Sequence, residues 1–229
     1  MRRLLITAAC IVALPGLSRA QSPMVGVKSD SAPAGPSGFI FRVGGFTGTA
    51  ERNYAFNRNV QAGSGSLKGV EVLLRSSFIG ISARSQSGTF TNTVGGAQQP
   101  DVIGADANVL LGPPAFTVSL GVAKRALSST LATQVYTFAR AGVQLSYVIG
   151  GTGLRAQVGA WGYAPLASDS TMKVGGEGEG SLIYTLPRVP IYLQFGYRAE
   201  VFTSKTKTTE TPEEVRGLRI GGGLQFGGK

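Results

Sequence analysis

From Gly38 to the C-terminus, apolar and polar positions alternate one by one. That period of two belongs to extended strands, and no helical period competes with it over a comparable length. The alternation predicts strands near 38–48, 67–75, 78–87, 102–111, 115–125, 134–149, 154–165, 172–185, 190–202 and 214–226. In the third, Ile79, Ile81 and Ala83 oppose Gly80, Ser82, Arg84 and Gln86. In the ninth, Ile191, Leu193, Phe195, Tyr197, Ala199 and Val201 oppose Gln194, Gly196, Arg198 and Glu200. One face is apolar almost throughout and the other is polar.

The connections carry a second pattern. Tight turns follow the even strands, at Ser76-Ser77, Gly112-Pro113-Pro114, Gly150 to Gly153 and Pro187 to Val189. Longer, more polar loops follow the odd strands, as at 49–66, 88–101 and 203–213. Short turns at one end and long loops at the other are the habit of outer-membrane barrels. Aromatic residues Phe39 (or Phe41), Phe116, Tyr147, Tyr184 and Phe226 fall at the turn end on the apolar face, where an interfacial belt belongs. With an even strand number both chain ends lie at that end.

Composition sharpens the picture. Charged residues are 15% of the 229 and glycine supplies 34, whereas a soluble domain carries about 25% charged residues. No run of about 18 apolar residues follows the N-terminal region, so no spanning helix is expected. A membrane protein without spanning helices has the closed barrel as its remaining solution, because backbone groups in lipid must be paired within the protein. The expected fold is therefore all-β, an up-and-down antiparallel transmembrane β-barrel of about ten strands, with eight as the alternative.

Arg2 and Arg3, the apolar stretch Leu4 to Leu14, and Ser18-Arg19-Ala20 read as a signal peptide cleaved after Ala20. Residues 21–37, with Pro23, Pro33 and Pro36, read as a flexible periplasmic tail, and 38–229 as the barrel domain. The only cysteine, Cys10, lies in the signal segment, so the mature chain is expected to hold no disulfide or thiol site. Loss of Arg2, Arg3 and Arg19 would lower the formal charge from +10 to +7. The basic residues are scattered, which speaks against nucleic acid; outer-membrane lipid and lipopolysaccharide are the expected partners, beside the reading that the charge has no specific partner.

The chain resembles the broad class of small Gram-negative outer-membrane β-barrel proteins over roughly 38–226. Its last strand sets Leu218, Ile220, Leu224 and Phe226 on one face, like the terminal strand that the barrel-assembly machinery reads in that class. Gly222 in an apolar slot, and Gly227, Gly228 and Lys229 after Phe226, depart from the pattern. The resemblance implies an outer-membrane location and that machinery as a partner.

Period two alone does not say which face is inside, and a soluble lipocalin-like barrel would turn the apolar face inward. Three features favour the inverted arrangement: a polar face of Gly, Ser, Gln and Arg, charges at mid-strand, and aromatics along one rim. The lumen would then hold Arg42, Glu71, Arg75, Arg84, Asp106, Arg140, Arg155, Glu177, Glu179, Arg198, Glu200 and Arg219. These form either a salt-bridge network that stiffens the barrel or a thin, weakly anion-preferring passage. Phe46, Tyr136, Phe138, Trp161, Tyr163 and Phe202 fall on the same inward phase near the loop end. They suggest an aromatic mouth for an apolar ligand, unless β-bulges near Gly44-Gly45 or Gly162 turn some of them outward.

The chain has no histidine, which removes Ser-His-Asp catalysis and His metal sites. Glu177, Glu179 and Glu200 could do acid–base work or hold a cation, but neutralising an arginine such as Arg198 is the simpler role. No enzyme, cofactor or metal is expected. The expected function is a structural or surface-exposed barrel with at most a narrow passage. The alternatives are a loop-mediated binding or adhesion module and an apolar-ligand site at the mouth.

Overall fold

The structure, a computed structural model, describes residues 38–56, 59–128, 133–166, 172–205 and 210–227. The expected signal peptide, Cys10 and the tail lie outside the described residues. Ten strands run in chain order: β1 Ile40–Phe56, β2 Asn59–Arg75, β3 Ile79–Asn92, β4 Asp101–Leu111, β5 Phe116–Ser128, β6 Thr133–Ile149, β7 Leu154–Pro165, β8 Met172–Thr185, β9 Ile191–Lys205 and β10 Glu210–Gly227. Each pairs antiparallel with its sequence neighbours, and β1 pairs with β10 from Ile40 opposite Gly227 to Asn53 opposite Glu214. The sheet closes into a barrel with no free edge, and no helix occurs among the described residues.

The apolar face points outward. Ile79, Ile81, Leu193, Phe195 and Ile220 are 53–62% exposed, while Arg140 and Arg198 inside are 4% and 6% exposed. The alternation is clearest on β4, where Val102, Gly104, Asp106, Asn108 and Leu110 are buried and every residue between them from Ile103 to Leu111 is exposed. This is the inverse of a soluble barrel, which would gather its valines and leucines centrally.

Four tight connections form the turn end. At the first, Ser76 N–H and Ser76 Oγ both donate to Ile79 O, at 2.8 and 2.9 Å. At the second, Gly112 adopts φ 103°, a left-handed conformation that glycine takes without a Cβ clash, and Phe116 N–H donates to Pro113 O at 3.0 Å.

The opposite end departs from expectation. The segment 49–66 is mostly strand, because β1 and β2 each run 17 residues and leave only 57 and 58 between them. Likewise β3 continues to Asn92, β9 reaches Lys205 and β10 begins at Glu210. The hydrophobic signal stops where the apolar band stops, but the ladder of backbone hydrogen bonds does not. Outward positions beyond that point are Thr47, Thr49 and Glu51 on β1 and Ser64, Ser66 and Lys68 on β2. Strands with polar or small residues on both faces carry no apolar period to read.

Candidate functional site in the lumen

All twelve lumen charges expected from the sequence sit on strands at inward phase, but they divide into two groups. Eight of them form one network across the middle of the barrel. Glu177, 4% exposed, receives Arg84 at 2.8 Å, Arg198 at 2.9 Å and Arg140 at 3.1 Å, together with the Tyr163 hydroxyl. Arg84 reaches onward to Asp106 at 3.2 Å and Glu179 at 3.0 Å, and Arg219 also bonds Glu179. Arg198 lies 3.7 Å from Glu200.

The register explains why the network must be this dense. Glu177 stands directly opposite Glu200 across β8 and β9. Like charges in cross-strand register repel, so the arrangement holds only because arginines from other strands lie between them. Arg198 touches both carboxylates, and Arg125 donates from Nε to Glu200 at 2.7 Å. Arg125 is 2% exposed and shares the inward phase of Thr117 and Ser119. It was missed in the sequence because Ala123 interrupts the polar face just before it, although its phase alone would have placed it. Arg52 and Glu213, an inward pair at 3.4 Å, were missed because they fall in segments expected to be loops.

The aromatic residues keep their inward phase. The bulges expected near Gly44-Gly45 or Gly162 are absent: β1 pairs continuously with both neighbours, and β7 with both of its own. The register shift that does occur in the described pairing lies between Met172 and Gly175 on β8. Nor do the rings form an open mouth. Phe138, Tyr163 and Phe202 pack at centroid distances of 5.3–5.9 Å and are 0%, 3% and 7% exposed, with Ala123 beneath and Tyr136 against them. Arg125 lies 5.5 Å over the Tyr163 ring, tying this plug to the charge network. Phe46 and Trp161 stand apart from it, under Arg219 at 5.3 Å and Arg140 at 4.3 Å.

Inward glycines make room for these rings. A Cβ at Gly142 or Gly159 would overlap the Trp161 indole, and one at Gly44 would overlap the Tyr192 hydroxyl. Much of the glycine richness is therefore a packing requirement of a crowded lumen.

At the loop end, Gln99 and Pro100 turn into the barrel while 93–98 stay exposed. Gln99 is 3% exposed and donates to Asn92 Oδ1 at 2.8 Å and to Gln61 O at 3.2 Å, while Arg52 donates to Pro100 O at 2.6 Å. Ala50, Phe90 and Val102 form a second apolar cluster.

The other four expected charges, Arg42, Glu71, Arg75 and Arg155, lie toward the turn end and make no ion pair with one another or with the network. Glu71 instead accepts from the Tyr192 hydroxyl at 3.2 Å, and from Gln194 at 2.9 Å in the amide orientation that suits both neighbours. Arg42 stacks on the Tyr192 ring at 5.2 Å. Tyr192, 1% exposed, is a lumen residue that the sequence reading passed over. Arg75 bonds Thr117 Oγ1 at 2.8 Å and the carbonyl of Gly112. Arg42, Glu71, Arg75 and Arg155 line a cavity of about 110 Å³ whose walls also include network residues and the strand ends at Ile40, Thr185 and Gln225.

On the outer surface, Phe39, Phe116, Tyr147, Tyr184 and Phe226 are 38–72% exposed at the turn end, and Phe41 stacks on Phe226 at 6.3 Å. Toward the other end the outward positions become charged, at Lys68, Lys124, Glu51 and Arg216. Arg216 and Glu51 pair there at 2.9 Å. Among the described residues, no group of three or more acidic or Cys side chains is placed to hold a metal ion. No known protein-family model and no curated protein matches the chain.

Proposed function

We propose that this protein is a bacterial outer-membrane barrel, exported by its N-terminal signal peptide, with a structural or surface role and a closed lumen. The observation that carries the reading is the outward apolar band, edged by exposed aromatics at the turn end and by charges at the other. On β10 the band runs from Leu218 to Phe226, close to the 9–11 tilted residues that cross a hydrocarbon core. Exposed isoleucine and leucine on this scale would be an aggregation hazard in water and are ordinary against lipid. The turn end then faces the periplasm, the charged rim meets lipopolysaccharide, and β10 is the strand presented to the barrel-assembly machinery.

The lumen supports a plug rather than a pore. Ten strands leave little room, and that room is taken by a charge network and by rings packed to 0–7% exposure. The carboxylates of Glu177 and Glu200 are occupied by arginines, so neither is free for acid–base chemistry. A loop-mediated binding role has one observation in its favour. The 17-residue strands β1 and β2 are longer than a membrane span requires, so their hairpin would stand beyond the lipid.

Detergent extraction followed by heat-modifiable gel migration tests the membrane assignment. The folded barrel should migrate apart from the boiled chain and require detergent to stay in solution. A protein fully soluble without detergent would overturn it. Planar-bilayer recording should show little or no steady conductance.

A further inference from the structure

The turn-end cavity has a charge imbalance that no carboxylate among the described residues neutralises. Arg42, Arg75 and Arg155 all line it, and the one carboxylate near them, Glu71, is turned to Tyr192 and Gln194. At the closed end of the same cavity Arg84 and Arg140 are matched by Asp106 and Glu179, so the excess lies on the turn side. The three cations share the walls of one chamber. Arg75, only 4% exposed, keeps its Nε–H without an acceptor. Leaving a buried charged donor unmatched is costly; Arg198 and Arg219 in the middle section also keep guanidinium nitrogens without an acceptor, but both lie against a carboxylate and Arg75 does not.

The remaining walls are suited to an anion. Gln144, Gln157, Gln225 and Ser146 bring neutral hydrogen-bonding groups to the cavity. A cavity of about 110 Å³ has room for roughly seven water-sized groups, enough for a small oxyanion and a few waters. A lipid headgroup has no lateral route in, because the surrounding sheet is closed. We propose that Arg42, Arg75 and Arg155 form a binding site for a free oxyanion of the phosphate type, entered from the turn end. Arginine forks suit such an ion because two N–H groups can meet two of its oxygens at once.

The test is calorimetric titration of inorganic phosphate into the folded barrel in a neutral detergent. The wild-type protein should bind saturably, with about one ion per chain. Arg42→Gln/Arg155→Gln should weaken that affinity at least tenfold, and Arg155→Gln alone should weaken it less. Lys68→Gln, which removes a cation from the outer face, should leave it unchanged. Gel migration confirms that each variant is folded. No saturable heat in the wild-type protein, or equal affinity in the double variant, would overturn the site.

Discussion

Glu177 and Glu71 both point into the lumen, yet their surroundings are opposite. Glu177 is gripped by Arg84, Arg140 and Arg198 in a section where each acid meets at least one arginine. Glu71 bonds a tyrosine and a glutamine, while Arg42 and Arg155 nearby have no carboxylate partner. The middle of the barrel is densely ion-paired; the turn end is hollow and its arginines lack carboxylate partners among the described residues. One scaffold thus uses the same residue types for two purposes. Mutual satisfaction stiffens the middle, and its absence at the turn end leaves donors available to something else.

The contrast predicts unequal costs for removing one charge. Glu177→Gln removes the carboxylate that three buried arginines share, leaving Arg84, Arg140 and Arg198 with only Asp106, Glu179 and Glu200, so destabilisation of about 3–5 kcal/mol is expected. The temperature at which the folded gel band disappears should fall sharply. A small change would mean that the middle network contributes no more than surface ion pairs do. Phe138→Ala attacks the same section from its apolar side. Removing a ring with 0% exposure should cost about 3–5 kcal/mol. It should also open a gap next to Tyr163 and Phe202, read as new conductance steps in a planar bilayer. Silent bilayers would place the block elsewhere, in the Gln99 connection or in the charge network itself.

Gly159→Val tests the fit of the lumen rather than its charge. The new side chain would have to displace the Trp161 indole, and overpacking of this kind costs about 1–3 kcal/mol. Trp161 is the only tryptophan in the chain, so its fluorescence should shift as stability falls. An unchanged spectrum would show that the ring already has room to move.

The fold was readable in the sequence because an inverted barrel writes its two faces in opposite chemistry. The strands from Ile79 to Ala83 and from Ile191 to Val201 alternate without interruption. Boundaries were lost where that chemistry fades: beyond Thr47 on β1 and Leu67 on β2 the next residues of both faces are polar or small, and strand looks like loop. The lumen was legible in membership but not in partnership. Phase placed Arg42 and Arg84 on one face, but only closure of the sheet shows that Arg84 meets Glu177, 93 positions away, while Arg42 meets a tyrosine ring. The aromatic residues show the same limit. Their phase was correct, and whether they were mouth or plug depended on distances across the barrel that a single strand does not encode.

The smallest expected effect is also the one that separates the two regions by sign. Arg155→Gln removes a cation that shares its cavity with Arg42 and Arg75 and has no ion-pair partner among the described residues, so nothing described is stranded by its loss. Like charges around a wet cavity repel by about 1 kcal/mol or less, and relief of that repulsion should raise the unfolding temperature slightly in a phosphate-free, low-salt buffer. Added salt should shrink the difference, because screening already softens the repulsion in the wild-type protein. The same exchange in the middle section, Arg140→Gln, uncovers Glu177 and should destabilise. Destabilisation by both exchanges would mean that the turn-end arginines are structural after all, and the division of the lumen into a matched section and a cationic chamber would no longer hold.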